Sequence, residues 1–324
     1  MHHFCTYFDQ KYLARALVLH RSLVEHTGTD FVLWALCLDE TAYELVDGLS
    51  LATFRPVRLA DLEAAAPEVA ATKSTRSRVE YYFTLTPALP HHLLATHPEI
   101  DVISYLDADL RFYADPTLVL DHMALGSVII IPHGFPQRLK RLEIHGRYNV
   151  GMVSFRRDGD GLACLERWRA RCIEWCYDRV EDGRFADQAY LDDWPAVHPG
   201  VVVVDVPGIG LGPWNFMRHR IKVSGNRATV DGRPLVFYHF HAFKGITTRI
   251  FDDGLLNYGR MPRRVRSFLY AGYIRDLDVA LRTVASQRLA TAESGRTSPP
   301  NLRSVLALAK GRRLLVRIGA RVLG

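Results

Sequence analysis

Two acidic residues that directly follow an apolar run form the pattern most suggestive of chemistry. Asp107 and Asp109 come after Val102–Leu106, whose composition predicts a buried strand. The carboxyl ends of parallel strands line the crevice where open α/β sheets bind ligands. A turn there would let both carboxylates approach one Mg²⁺ or Mn²⁺ ion, which normally completes its shell with phosphate oxygens and water. Alternatively, both acids are solvated side chains of a turn that ends the strand.

A histidine and a lysine at the end of a later apolar run could complete such a site. His239 lies at the end of a strand predicted over 235–239, and Lys244 follows it. A neutral imidazole could supply a third metal ligand, and an ammonium group could neutralise a diphosphate leaving group. Taken singly, His239 also fits a core histidine and Lys244 a solvated surface charge.

Alternating strand and helix patterns predict the sheet that would position these residues. A strand over 4–8, an amphipathic helix over 12–23 and an apolar run over 31–38 form a βαβ unit, which implies a parallel sheet with helices on its faces. Further strands are predicted over 55–59, 102–106, 127–132, 150–155, 201–206 and 235–239, and helices over 78–89, 161–180 and 186–193. The sequence therefore predicts an α/β protein.

The strand pattern ends near residue 250, which divides the chain into four predicted parts. These are a main domain over 1–250, a helical extension over 251–290, a Thr-, Ser-, Gly- and Pro-rich linker over 291–300 and a basic amphipathic helix over 301–324. The last part could lie on an anionic membrane surface. Alternatively, it docks on the protein with its basic face in solvent.

Composition and charge exclude several classes of protein. With 324 residues, 48% hydrophobic and 23% charged, the chain is neither a disordered polymer nor a fibre. Its 41 Lys and Arg exceed its 35 Asp and Glu by six, and residues 301–324 hold six basic residues and no acid, so the rest is neutral and no nucleic-acid partner is indicated. Five cysteines without a CxxC pair and an N-terminus without a signal pattern predict free thiols and a cytoplasmic protein.

With its motifs taken in order, the chain resembles the nucleotide-diphospho-sugar transferases of the GT-A fold, most closely the glycogenin and lipopolysaccharide galactosyltransferase family. The resemblance spans about residues 3–245. It is carried by the first helix with Tyr12 before it, the Arg78-led R-x-E-x-x-x-T-L-T segment, the DxD of Asp107 and Asp109, the N-x-G of Asn149, the DQ pair Asp187-Gln188, and His239.

The resemblance implies a Rossmann-like GT-A sheet, mainly parallel and flanked by helices, with 1–250 as the catalytic domain. It also implies Mn²⁺ or Mg²⁺ on Asp107, Asp109 and His239, a UDP-sugar donor whose uracil lies in the loop before the first helix, and Arg78 facing the diphosphate. The residues implied to bind the donor are Thr6, Tyr7, Phe8, Asp9, Tyr12, Arg78, Asp107, Ala108, Asp109 and Lys244. Those implied to act at the transferred sugar are Asn149, Asp187 and Gln188.

The chain departs from the family at two positions that would carry positive charge. Pro87 stands where the family commonly has lysine after T-L-T, and Lys73 or Arg76 could supply the missing charge. Lys244 is one residue closer to His239 than in the family's ending and no Pro-Trp follows it.

Three of the residues singled out have a structural alternative as well. Asn-x-Gly at Asn149 is also a common turn, and Asp187 could be a helix N-cap. Trp214, in a Gly-Pro-Trp-Asn turn, could stack on an acceptor sugar or pack against the core.

The implied activity is metal-dependent transfer of a sugar, with retention, to a glycan or lipid-linked acceptor in surface polysaccharide or lipopolysaccharide synthesis, at the inner face of the cell membrane. A phosphatase of the haloacid dehalogenase type would use Asp107 as nucleophile, but Leu110 follows the second acid where that class has Thr or Val. A non-catalytic nucleotide-sugar-binding scaffold is the other alternative.

Overall fold

The computed structural model of this protein describes residues 1–28, 30–246, 250–292, 314–318 and 321–323. Its centre is a seven-stranded sheet in the order β3-β2-β1-β4-β7-β6-β8. The first eight strands are β1 His2–Phe8, β2 Phe31–Cys37, β3 Phe54–Arg58, β4 Val102–Leu106, β5 Leu110–Phe112, β6 Val128–Pro132, β7 Tyr148–Arg156 and β8 Val201–Val203. In this sheet β7 is antiparallel to both of its neighbours, and every other pairing is parallel. The predicted α/β class with a mainly parallel sheet is confirmed.

Helices cover both faces of this sheet. They are α1 Leu13–Thr27, α2 Glu40–Gly48, α3 Leu59–Ala65, α4 Pro67–Ala71, α5 Arg78–Thr96, α6 Thr117–Leu120, α7 Gly159–Glu174, α8 Trp194–Val197, α9 Arg263–Arg266 and α10 Gly272–Ala292. The helix predicted over 186–193 is instead a 3₁₀ turn, Ala189–Asp193. Among the described residues, no helix is long and apolar enough to cross a bilayer.

The core lies in two layers because side chains of β1 alternate between the faces of the sheet. Phe4 and Phe8 belong to the layer shared with α1 and α10, whereas Cys5 belongs to the layer shared with α5 and α7. All five cysteines are free and buried, as the sequence predicts. Burial of both faces explains why the strands appear as continuous apolar runs.

Helix α5 begins with a capping box that fixes the position of Arg78. Ser77 N donates to Glu80 Oε2 at 2.8 Å and Glu80 N donates to Ser77 Oγ at 3.4 Å, which satisfies two backbone donors at the helix start. The helix continues past its predicted end at 89 to Thr96, with Pro87 and Pro90 in its interior.

Short strands after β8 complete the edge that carries the candidate ligands. They are β9 Ile221–Ser224, β10 Arg227–Val230, β11 Arg233–Pro234, β12 Phe237–His239, β13 Lys244–Gly245, β14 Ile250–Asp252, β15 Leu314–Ile318 and β16 Arg321–Leu323. Strand β12 pairs with β5, and β13 to β16 form a separate antiparallel sheet. The predicted extension over 251–290 thus starts within a strand and becomes helical from Arg263.

The C-terminal segment differs from its prediction. Strands β15 and β16 pair with each other, and β15 also pairs with β14, so the amphipathic helix predicted over 301–324 is wrong for 314–318 and 321–323. Aliphatic and β-branched residues fit a paired strand as well as a helix face, and β14 supplies the partner that decides between them. Residues 293–313, 319, 320 and 324, which include most of the predicted linker, lie outside the described residues.

Candidate metal and donor site

A tight turn after β4 brings the two DxD carboxylates to the same edge of the sheet. Asp107 N donates to the Gly151 carbonyl at 2.9 Å, and Leu110 N donates to the Asp107 carbonyl at 3.1 Å. This closes a four-residue turn with Ala108 buried inside it. The chain then enters β5 directly, so the turn is anchored at both ends.

Strand β12 delivers the third predicted ligand. It is antiparallel to β5 with His239 opposite Leu110, and Phe240 N donates to the Asp109 carbonyl at 3.0 Å. His239 Nε2 lies 3.0 Å from Asp109 Oδ1 and 3.5 Å from Asp107 Oδ2. One ligand atom from each of the three residues therefore lies within 4.8 Å of the others.

This donor set fits a divalent cation. Carboxylate oxygens suit Mg²⁺ and Mn²⁺, and an imidazole nitrogen is compatible with Mn²⁺. The carboxylate of Asp107 also accepts a hydrogen bond from the Tyr105 hydroxyl at 2.8 Å, which orients it. The second ring nitrogen of His239, Nδ1, is buried and has no hydrogen-bond partner in the described part of the chain.

Crowding of charge in this cluster shifts the pKa values of its members in opposite directions. Burial raises the pKa of Asp107, His239 opposes that rise, and the charge of Asp109 adds to it. Burial also disfavours ionisation of Asp109, but His239, together with Arg15, lowers the pKa of that carboxyl. A divalent cation would relieve the repulsion between the two carboxylates.

Gly151 makes room for His239, which gives a first testable prediction. A Cβ on Gly151 would lie 2.8 Å from His239 Nδ1 and would also collide with the Asn149 side chain. We expect Gly151→Ala to move the imidazole and weaken Mn²⁺ binding about 10–100-fold, with a loss of about 1–3 kcal/mol in the free energy of unfolding.

Isothermal titration of Mn²⁺ and urea unfolding would measure the two effects. Gly159→Ala is the matched control, because a Cβ at Gly159 meets nothing within 4 Å. Equal Mn²⁺ affinity in the Gly151 variant and the wild type would contradict this prediction.

Asp187 is a buried carboxyl near the metal cluster. It is 5% exposed, and the Trp168 indole donates to its backbone carbonyl at 2.8 Å. Burial raises the pKa of Asp187 to about 7, the hydrogen bond with Thr86 opposes this rise, and the charge of Asp107 adds to it. The N-cap alternative is wrong, because the following 3₁₀ turn has Gln188 as its N-cap residue.

The two predicted amide residues contact the protein itself. Asn149 lies in β7 rather than in a turn; its Oδ1 accepts from Gly151 N at 2.8 Å and its Nδ2 lies 3.1 Å from His133 Nε2. Gln188 Nε2 donates to the His145 carbonyl at 2.8 Å. Both amides therefore order the backbone around the cluster.

The predicted uracil loop divides into buried and accessible residues. Thr6 and Phe8 are 0% and 2% exposed, so they offer a ligand almost no accessible surface. The Tyr7 hydroxyl lies 3.3 Å from Thr86 Oγ1. Asp9 Oδ1 accepts from the backbone of Tyr12 at 3.3 Å, and Tyr12 as a whole is 45% exposed.

The predicted cations occupy different surroundings. Arg78 is exposed at the start of α5 and Lys244 is exposed at the start of β13. The proposed substitutes for the missing lysine are engaged elsewhere: Lys73 pairs with Glu63, and Arg76 donates to Thr84 and to a backbone carbonyl.

The structure places Trp214 in the core and brings Arg15 to the loop that follows His239. Trp214 is 4% exposed and packs edge to face on His133 and His239, with ring centres 5.2 Å apart in each pair, as a core residue would. Arg15, which no sequence motif indicates, donates to the Phe243 carbonyl at 2.7 Å. Its position one helical turn after Tyr12 was the only available signal.

Among solved structures, the chain is similar to glycosyltransferases at low sequence identity. The apo form of mouse xyloside xylosyltransferase 1 is 15% identical, with 74% of this chain and 98% of that chain covered and a TM-score of 0.47. The galactosyltransferase LgtC in complex with donor and acceptor sugar analogues is 14% identical, with 88% and 95% covered and a TM-score of 0.48.

Sequence relatives are closer. No protein-family model matches the chain. The uncharacterized protein YfnF of Bacillus subtilis (strain 168) is 34% identical over 249 residues, which cover 74% of this chain and 81% of YfnF. The uncharacterized protein YfnD of the same strain is 30% identical over 253 residues, which cover 77% of this chain and 80% of YfnD. The chain therefore belongs to the family that includes YfnF and YfnD.

Proposed function

We propose that this protein is a metal-dependent GT-A glycosyltransferase that moves a sugar from a nucleotide diphosphate donor, a UDP-sugar, to a glycan or lipid-linked acceptor. The observation that carries the proposal is the convergence of Asp107, Asp109 and His239 at the carboxyl end of the central sheet. His239 lies far from the Asp107-Ala108-Asp109 turn in the sequence, and the motif pattern that links the three ligands is that of the resembled family.

Each part of the site has a role in the proposed reaction. Asp107, Asp109 and His239 would hold Mn²⁺ or Mg²⁺, which as a Lewis acid disperses charge on a leaving diphosphate. The exposed ring of Tyr12 offers a stacking surface for the base, and Arg78 and Lys244 would add positive charge toward the phosphates. Asn149, Asp187 and Gln188 are the residues proposed to contact the transferred sugar.

The finer parts of the proposal rest on the sequence. Retention of anomeric configuration and a role in surface polysaccharide or lipopolysaccharide synthesis follow from the family resemblance. The six basic residues of 301–324 support action at the anionic inner face of the cell membrane, since each would contribute about 1 kcal/mol near such lipid.

A thermal-shift experiment tests the donor class. Purified protein is heated with UDP, GDP, CMP or dTDP, or their sugar conjugates, with and without Mn²⁺. We expect stabilisation by UDP compounds that requires Mn²⁺, because a ligand at a hundred times its Kd adds about 2.7 kcal/mol to the free energy of unfolding.

Assays on the same purified protein distinguish the alternative functions. Stabilisation by no nucleotide would refute the proposal, and hydrolysis of an aryl phosphate would then support the phosphatase. Nucleotide-sugar binding with neither transfer nor hydrolysis would support a scaffold.

A further inference from the structure

Arg15 lies between two segments of the proposed donor site. Its guanidinium carbon is 4.2 Å from the centre of the Tyr12 ring, and its Nη2 donates to the Phe243 carbonyl at 2.7 Å, in the loop that follows His239. A guanidinium carries five N–H donors, and these contacts leave several for a ligand. The Arg15 side chain is therefore held between Tyr12, which directly precedes α1, and the loop that follows His239.

The backbone that Arg15 contacts is tied to the metal cluster. Phe243 N donates to the Phe240 carbonyl at 3.1 Å, and Phe240 N donates to the Asp109 carbonyl at 3.0 Å. Among the ion pairs within the described residues, none includes Arg15. A guanidinium held by one carbonyl and one ring face keeps further N–H donors for an anionic ligand, with which it would form charge-assisted hydrogen bonds.

The buried hydroxyl of Tyr273 in the same region has no hydrogen-bond partner within the described residues. Tyr273 of α10 is fully buried, and its ring stacks on Phe240 with centres 3.7 Å apart. Its hydroxyl makes no hydrogen bond within the described residues, although it interacts electrostatically with both Arg15 and Asp109. Buried hydroxyls are normally paired, so this one points to a polar ligand atom or water at the same place.

Lys73 and Arg76, the two residues suggested to supply the charge missing at Pro87, are already committed, as is Arg111. Lys73 pairs with Glu63, Arg76 donates to Thr84, and Arg111 pairs with Asp276. Arg15 instead lies between Tyr12, where the base is proposed to stack, and the loop that follows the proposed metal ligand His239. The diphosphate of a nucleotide donor bound in this way would span these two points.

We propose that Arg15 binds the diphosphate of the donor and supplies the positive charge that Pro87 does not. This inference rests on the proposed function and adds a binding residue to it. Charge-assisted hydrogen bonds from an arginine are short and strong, so the contribution should depend on the phosphates and not on the base.

The test compares ligands with and without the diphosphate. Dissociation constants of UDP and uridine are measured with Mn²⁺ for the wild type, Arg15→Met and Arg15→Lys. We expect Arg15→Met to weaken UDP binding about 10–100-fold while uridine binding changes less than about twofold, and Arg15→Lys to recover part of the loss. Arg58→Met is the matched control, because Arg58 also lies over a tyrosine ring, at 3.6 Å from that of Tyr43, but pairs with Glu40.

Four results would overturn the inference. These are unchanged UDP affinity in Arg15→Met, equal weakening of UDP and uridine, loss of Mn²⁺ affinity in the absence of nucleotide, or an equal effect of Arg58→Met. Failure of the wild type to bind any nucleotide is a different result, because it would refute the proposed function itself. Thermal unfolding of each variant checks that the fold is intact.

Discussion

Asp109→Asn is expected to abolish Mn²⁺-dependent nucleotide binding and to lower sugar transfer by about 10²–10³-fold or more. The substitution preserves the size of the side chain but removes the negative charge that lies 3.0 Å from His239 Nε2. The remaining Asp107 carries a carboxyl whose pKa is raised by burial, so it alone makes a weaker site for a divalent cation. The loss should therefore begin at metal binding.

Direct titration of Mn²⁺ in the absence of nucleotide separates this effect from a loss of donor contacts. Asp205→Asn is the control, since Asp205 also follows a strand of the central sheet, β8, but is exposed. Unchanged Mn²⁺ affinity in Asp109→Asn would mean that Asp109 is not a metal ligand.

Local patterns in the sequence were sufficient to predict the DxD turn. The apolar run predicts the buried strand, and the two acids that follow mark where the strand ends. The turn itself involves only four consecutive residues. The βαβ pattern around 4–38 likewise predicts the parallel part of the sheet, because burial of both faces leaves continuous apolar runs. These features depend on neighbours in the chain.

Features that depend on distant partners could not be predicted from the residues themselves. His239 reaches the two acids only because β12 pairs with β5. Its position at the end of a predicted strand made it a candidate ligand, and the family motif supported that choice. Nothing in the sequence shows that the Phe243 carbonyl lies beside Arg15. The C-terminal segment similarly becomes β15 because β14 pairs with it, which is a tertiary influence on residues that also fit a helix.

Asp187→Asn is expected to raise the free energy of unfolding, relative to the wild type, by up to about 4 kcal/mol as the pH rises from 4 to 8. An aspartate in the unfolded chain ionises near pH 4, whereas burial raises the pKa of Asp187 to about 7 in the folded protein. Unfolding thus releases a proton between these values. The wild type should lose about 1.4 kcal/mol per pH unit across that window and nothing more above it, while asparagine has no such proton to release.

Urea unfolding of both proteins from pH 4 to pH 8, with divalent metal removed by chelation, measures this difference. Every other titrating group is common to the two proteins, so the difference between them isolates residue 187. Asp205→Asn should show no such trend, because that side chain is exposed. A constant difference between Asp187→Asn and the wild type across the range would show that the buried carboxyl is ionised throughout. In that case, the carboxyl next to the metal cluster would enter the reaction as an anion and not as a hydrogen-bond donor.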